Sequence, residues 1–213
     1  MNLVWVALTW LAYAALHSLL ASLAVKHWVA RRWPALMPAY RLAFNAFAAL
    51  ALLPVLWLVY GTESAWLWRW TGPAAWLANT LALAALAGVA ITARAYDMDE
   101  FLGLRQWRRH DRGTDDREPF ALSTVHRFIR HPWYFFGLVL VWTRDMNGPL
   151  LTSALAITAY FIVGSWLEDR KLAALHGQAY RSYRERVPGL VPLPWKFLTA
   201  QQARDLVQRA GHG

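Results

Sequence analysis

Apolar positions gather in long blocks along the chain instead of recurring with a short period. Three blocks, residues 3–25, 41–60 and 74–93, are long enough to cross a hydrocarbon core of about 30 Å, which takes about 20 apolar residues as a helix. A fourth, residues 150–167, is slightly shorter and rises about 27 Å. Between the third and fourth lies a stretch, residues 133–143, that is apolar but only about 16 Å long as a helix, half a bilayer. Pro132 stands just before it, where a helix start tolerates proline. The short and the long arm read as a helical hairpin closed by Arg144-Asp145-Met146-Asn147-Gly148-Pro149, a run rich in helix breakers. The pattern predicts an all-α polytopic membrane protein of about five transmembrane helices, the last two forming that hairpin.

The first block lacks the basic leader of a signal peptide and is longer than its apolar region, so it reads as a retained helix. Of the 22 Lys and Arg residues, only Arg69 and Arg144 fall in the loops that this arrangement turns outward. Cytoplasmic loops collect Lys and Arg, so the expected orientation is N-terminus out and C-terminus in.

Composition narrows the class. Hydrophobic residues make up 57% of the chain and charged residues 16%, which excludes a disordered chain, because that much apolar surface is buried somewhere. With no cysteine, disulfides, Cys-ligated zinc, iron–sulfur clusters and a Cys nucleophile are excluded. The net charge of +9 reads as topology plus attraction to anionic membrane lipids, with no nucleic acid as partner, since no base-stacking platform accompanies it. Trp5, Trp10, Trp28, Trp33, Trp57, Trp66, Trp68, Trp70 and Trp76 fall near predicted helix ends, as in an interfacial aromatic belt.

Familiar soluble motifs are missing. The glycines form no GxGxxG or P-loop, and there is no HExxH or GxSxG. His126 and His131 are five residues apart and do not share a helix face. No metal site is expected, although His17 with His131 gives a possible haem pair and hence a non-enzymatic or structural alternative. A nicotinamide-dependent reductase is a further alternative without a readable site. Residues 97–130 form the one long polar insertion, with acids Asp97, Asp99, Glu100, Asp111, Asp115, Asp116 and Glu118 against seven arginines. These read mostly as solvated surface.

The insertion leads into the densest motif. It holds Arg130-His131-Pro132-Trp133-Tyr134-Phe135-Phe136-Gly137, then Glu168-Asp169-Arg170-Lys171-Leu172, then Gly177, Tyr180, Tyr183 and Val187-Pro188-Gly189-Leu190-Val191-Pro192. A tight outer turn brings the inner ends of the two arms together and, with one arm shorter, predicts His131 some 7–10 Å deeper than Glu168 by the helical rise. Ionisable side chains at membrane depth are costly and point to function.

These residues, as Arg-His-Pro-x-Tyr-x-x-Gly, Glu-Asp-x-x-Leu, Gly-x-x-Tyr-x-x-Tyr and Val-Pro…Pro, resemble the C-terminal signature of the isoprenylcysteine carboxyl methyltransferase and phospholipid methyltransferase superfamily. Upstream, His17-Ser18-Leu19-Leu20-Ala21-Ser22, Tyr40-Arg41-Leu42-Ala43-Phe44-Asn45 and Phe101-Leu102-Gly103-Leu104-Arg105-Gln106 resemble its NnrU-like and methanethiol S-methyltransferase branch. The charged pair Arg144-Asp145 departs from the pattern.

The resemblance implies a single membrane methyltransferase domain. Residues 1–121 would be scaffold and cytosolic loop, 122–195 the cofactor-binding hairpin and C-terminal segment, and 196–213 a tail. It implies a bacterial inner-membrane enzyme with its site toward the cytosol. S-adenosyl-L-methionine would be the cofactor, and a small thiol or membrane-soluble acceptor the substrate. Prenyl-cysteine or lipid methylation is the alternative. Arg130, His131, Pro132, Tyr134, Gly137, Glu168, Tyr180 and Tyr183 would bind the cofactor, with Glu168 facing its ammonium and the tyrosines closing over it. Arg105, Arg144 and Glu168 would be catalytic, an arginine lowering the pKa of an acceptor thiol. His17, Asn45 and Trp142 would face the acceptor. Residues 197–209 have some amphipathic character and a basic face.

Overall fold

The computed structural model describes residues 3–94, 96–114 and 120–211. Four of the acids and arginines of the long insertion, Asp115, Asp116, Arg117 and Glu118, lie outside the described residues, as does His212. The helices are α1 (Leu3–Ala21), α2 (Leu23–Arg32), α3 (Met37–Gly61), α4 (Gly72–Ala93), α5 (Met98–Leu102), α6 (Leu104–Arg109), α7 (Pro132–Trp142), α8 (Gly148–Arg186) and α9 (Ala200–Gly211). Two short strands, β1 (Trp66–Trp68) and β2 (Met146–Asn147), complete it. Four segments, Leu3–Ala21, Pro34–Gly61, Gly72–Ala93 and Gly148–Arg186, are long and apolar enough to cross a membrane, and Pro132–Trp142 is a shorter apolar helix. The chain is an all-α polytopic membrane protein.

The chain divides into two compact units, each built from segments distant in sequence. The first holds α1 to α3, β1, α5, α6, β2 and the start of α8. Val6 of α1 is buried against Val55 and Val59 of α3. Trp10 donates its indole N–H to Ser153 at 2.8 Å, so this tryptophan is a tie between helices, not part of an interfacial belt. The first helix is shorter than its apolar block. Ser22 adopts an extended conformation, and its hydroxyl accepts the N–H of Val25 at 3.3 Å. A capping side chain of this kind starts a new helix, and the chain turns into α2 with Lys26, Arg31 and Arg32. The expected outer turn is also different. Residues 146–147 pair antiparallel with β1, Trp68 opposite Met146, and Asp145 pairs with Arg69 at 3.7 Å.

The second unit holds α4, α7, α8 from residue 157 onward and α9. Trp133 donates to Thr92 of α4 at 2.8 Å. Along the hairpin, Trp142 donates to Thr158 at 3.0 Å, Tyr134 stacks on Phe161 with ring centroids 4.7 Å apart, and His131 reaches Asp169. Helix α7 therefore runs beside residues 158–169, and its arm is level with α8 at the inner end. The predicted depth offset of His131 is absent, because the length difference falls on the outer connection instead.

Helix α8 is interrupted at Gly177, whose φ of 55° and ψ of −130° are non-helical and strained for any residue with a Cβ. After the break, Tyr180, Tyr183 and Val187 form a buried cluster with Leu198, Ala203 and Leu206, flanked by Phe120 and Leu122. Helix α9 begins with a reciprocal cap: the Gln202 N–H donates to the Thr199 hydroxyl at 3.2 Å, and the Thr199 N–H to the Gln202 side chain at 2.9 Å. The capping box satisfies two of the otherwise orphaned N–H groups. The amphipathic tail thus spends its apolar face on this cluster.

Candidate active site

The second unit brings the C-terminal motifs onto one buried carboxylate. Asp169 accepts from Arg130 through both oxygens, from Nε at 3.2 Å and from Nη2 at 2.6 Å. Its Oδ1 also accepts from Tyr180 at 2.5 Å and faces His131 Nε2 at 2.9 Å. Bidentate, charge-assisted bonds of this kind are among the strongest available to a protein. The Arg130 and Asp169 side chains are only 11% and 10% exposed, so leaving either without the other would carry a large desolvation penalty.

His131 bridges two acids. While Nε2 faces Asp169, Nδ1 lies 3.4 Å from Glu168 Oε2. Both ring nitrogens meet carboxylate oxygens, which accept only, so the ring carries both protons. Burial works against that charge, but hydrogen bonds to Asp169 and Glu168 and the charges of both acids outweigh it and raise the pKa to about 8. With both nitrogens engaged, His131 offers no lone pair to an iron, and the haem reading fails on this residue. Among the described residues no group of His, Cys, Asp and Glu is arranged to hold a metal. One turn upstream, burial first and then the positive His131 push His126 down to about 4, against the charge of Glu168. The Ser123 hydroxyl sits 2.7 Å from His126 Nδ1, an arrangement suited to a neutral ring.

The Val-Pro-Gly segment is the docking strip of this cluster. The backbone N–H groups of Arg130 and His131 donate to the carbonyls of Pro188 at 2.9 Å and Gly189 at 3.2 Å. Nη1 of Arg130 donates to the carbonyls of Arg184, at 3.1 Å, and Val187. Leu198 N–H donates to the Arg127 carbonyl at 2.9 Å, and Arg127 Nε returns a bond to the Leu198 carbonyl at 2.9 Å. The separate elements of the signature are thus one hydrogen-bonded assembly.

This assembly changes several expected roles. Glu168, 45% exposed at its side chain, is the open carboxylate. Four of the five guanidinium N–H donors of Arg130 go to Asp169 and backbone carbonyls. Tyr180 and Tyr183 are 2% exposed, with their hydroxyls on Asp169 and, at 2.7 Å, on the His126 carbonyl. Both hydroxyls are spent within the cluster. Pro132 is buried at the start of α7. Tyr134 is half-buried and stacked on His131 at 5.5 Å and on Phe161 at 4.7 Å. A Cβ on Gly137 would come within 2.9 Å of Phe161, which marks this glycine as a point of close helix approach. Arg144 lies beyond the far end of α7, about 16 Å of helix away from His131, exposed and bonded to Thr143 at 3.4 Å. Distance therefore removes it from the chemistry of this cluster. Trp142 spends its N–H on Thr158.

Asp169 is the central residue that the sequence reading passed over in favour of Glu168. The signal available in the sequence was Gly177 between it and Tyr180, a residue that permits the chain to fold back.

The first unit gathers the upstream motifs in the same way. His17 lies against Phe44, ring centroids 5.0 Å apart, and the Tyr40 hydroxyl donates to the Leu20 carbonyl at 2.6 Å. Asn45 donates to the Phe101 carbonyl at 3.1 Å and Arg41 to the Glu100 carbonyl at 3.0 Å. Gly103, with φ of 86°, sits where a Cβ would be 2.6 Å from the Leu42 nitrogen, so both its conformation and its contact require glycine. Arg105 pairs with Asp97 and, at 3.1 Å, with Glu100. Arg105 thus sits between two acids.

Comparison with known proteins accords with this arrangement. The chain is 33% identical over 184 residues to methanethiol S-methyltransferase 2 of Bradyrhizobium diazoefficiens, covering 84% of this chain and 69% of the relative. It is 31% identical over 186 residues to methanethiol S-methyltransferase of Mycobacterium tuberculosis, covering 85% and 75%. It is 30% identical over 190 residues to the protein of that name from a Pseudomonas species, covering 84% and 69%. No family model matches the chain, and no solved structure matches it. Fold, signature and relatives together define an integral-membrane methyltransferase. Within that class, the chain belongs to the methanethiol S-methyltransferase family.

Proposed function

We propose that the protein methylates the sulfur of a small thiol, using S-adenosyl-L-methionine bound at the rim of the Asp169 cluster. The observation that carries the reading is the contrast between two adjacent acids. Asp169 is buried and fully engaged, whereas Glu168 is half exposed and held by a single imidazolium edge. The donor set suits this cofactor, since an open carboxylate pairs with an ammonium. The cluster of Arg130, His131, Glu168 and Asp169 is neutral as a whole, which matches a zwitterionic amino-acid end. When bound, S-adenosyl-L-methionine supplies a methyl group on a cationic sulfonium.

In this reading Glu168 takes the ammonium. His131 holds Glu168 in place through Nδ1. Arg130 and Tyr180 act one step back, by fixing Asp169 and with it the orientation of the ring. The stacked rings of His131, Tyr134 and Phe161 wall the site and exclude water, which favours reaction between opposite charges. The acceptor reacts as a thiolate.

The short α7 arm counts as the fourth of five crossings, with the N-terminus outward and the C-terminus inward. This places the cluster toward the cytosol at the inner membrane. The strong bias of Lys and Arg toward one set of loops supports that orientation.

Calorimetry with S-adenosylhomocysteine in detergent tests the cofactor. Binding to the wild type that weakens at least tenfold in Glu168→Gln, followed by headspace detection of the methylated thiol, is the expected result. A folded wild type that binds no S-adenosylhomocysteine would sink the reading.

A further inference from the structure

Helix α2 lies between two bilayer-crossing segments. Ser22 alone separates it from α1, which ends at Ala21, and Trp33 alone separates it from the segment that begins at Pro34. With single-residue links at both ends, α2 cannot leave the depth at which those segments end. At ten residues it is about 15 Å long, too short to cross, and Lys26, Arg31 and Arg32 would oppose burial in hydrocarbon. It therefore lies in the headgroup layer.

Its surface suits that layer. Val29 is the buried contact with the rest of the unit. Leu23, Trp28, Trp33 and Leu36 are exposed, as are Arg31 and Arg32. Trp28 and Trp33 meet edge to face at 5.0 Å, and the Arg32 guanidinium lies over the Trp33 ring at 5.8 Å. Amphipathic rings beside arginines are typical of the boundary between acyl chains and headgroups.

Among the described residues no acid forms an ion pair with Arg31 or Arg32. Residues 1–62 contain no Asp or Glu. The first acid, Glu63, follows the far end of α3, 25 residues of helix away. Elsewhere in the same unit, Asp97 and Glu100 bind Arg105, Asp99 binds Arg108 and Asp145 binds Arg69. A pair of exposed arginines at headgroup depth is matched by lipid phosphate. A zwitterionic headgroup cancels that charge with its own cation, whereas an anionic one does not.

We propose that α2 and Trp33 form a binding site for anionic phospholipid headgroups, with Arg31 and Arg32 taking the phosphate and Trp28 and Trp33 seated at the acyl boundary. The site is separate from the methyl-transfer chemistry and does not depend on it.

Native mass spectrometry of the full chain, released from micelles doped equally with phosphatidylglycerol and phosphatidylcholine, reads the preference directly. The wild type is expected to retain phosphatidylglycerol severalfold over phosphatidylcholine. In Arg31→Gln/Arg32→Gln that preference falls to near parity, one basic residue beside an anionic surface being worth roughly fivefold at most. Arg31→Lys/Arg32→Lys, which keeps the charge, retains it, and Arg108→Gln, which removes an exposed arginine elsewhere, leaves it unchanged. Equal retention of the two lipids by the wild type, or an undiminished preference in the double Gln variant, overturns the proposal. The absence of native cysteine allows Ala35→Cys labelling from either side of the membrane to separate lipid binding from topology. A double Gln variant that inverts its labelling yet keeps the lipid preference also overturns the proposal, since the arginines then serve orientation alone.

Discussion

Tyr180 donates its hydroxyl to Asp169 at 2.5 Å from eleven residues further along α8, across the non-helical Gly177. A continuous helix would align the two residues but hold them some three turns apart. The break folds the second part of α8 back so that the phenol reaches the carboxylate. The buried ion pair of the site thus depends on a backbone conformation that only glycine adopts readily. Gly177→Ala should reduce S-adenosylhomocysteine affinity and stability together, read by calorimetry and by thermal unfolding in detergent.

The two adjacent acids should separate cleanly. Asp169→Asn leaves Arg130 buried without its counter-charge and should cost about 3–5 kcal/mol of stability. Glu168→Gln touches a half-exposed pair and should cost under about 1 kcal/mol, while weakening S-adenosylhomocysteine binding. Equal loss of stability in the two variants would contradict the division between support and contact.

Stability should pass through a maximum near pH 6.5, the ordinary value for histidine. His131 is raised to about 8 in the folded state. Its contribution is full below about 6.5 and is lost as pH rises through about 8. His126 is lowered to about 4, so the unfolded chain takes up a proton first, and stability falls as pH drops from about 6.5 toward 4. Unfolding midpoints across this range should show both limbs. His131→Asn should flatten the alkaline limb and His126→Gln the acid one.

Helix α4 meets α7 at Gly88, where a Cβ would come within 2.4 Å of the Phe136 ring. Gly88→Ala should destabilise by about 1–3 kcal/mol through overpacking. Phe136→Leu in the same chain should recover part of the loss, and a double-mutant cycle measures the coupling.

Leu198 is fully buried against Tyr180 and Tyr183. Leu198→Ala should cost about 2–5 kcal/mol and expose the chain beyond Val187 to limited proteolysis.

Much of this architecture was written in the pattern of apolar blocks. The spans at α3 and α4, the short arm that begins at Pro132 and the convergence of the C-terminal motifs follow from hydrophobic length and breakers alone. Where the reading missed, a local polar contact had redirected the chain. Ser22 ended α1 early by capping α2, and the 144–149 connection became a paired strand, neither of which hydropathy registers. At the site, motif spacing marked Glu168 and Asp169 equally. Burial distinguishes them, because Asp169 faces the three donors of Arg130, His131 and Tyr180 while Glu168 points to the rim. The sequence also did not register that Tyr180 and Tyr183 are 2% exposed, because burial of a phenol depends on the later segment that packs over it. Arg105 was chosen for charge, and charge in a sequence carries no information about which acids, here Asp97 and Glu100, pair with it.

The bonds that tie Arg130 to the carbonyls of Arg184 and Val187 span 54 and 57 residues, and the Arg127–Leu198 bond spans 71. Because ribosomes make the chain in order, Arg130 and Asp169 are made before the carbonyls of Arg184 and Val187 that bind the arginine. Until the latter are made, Arg130 has Asp169 to hold but no backbone carbonyls to complete its shell. The cluster around Arg130 is therefore complete only once the segment from 184 to 198 has been made.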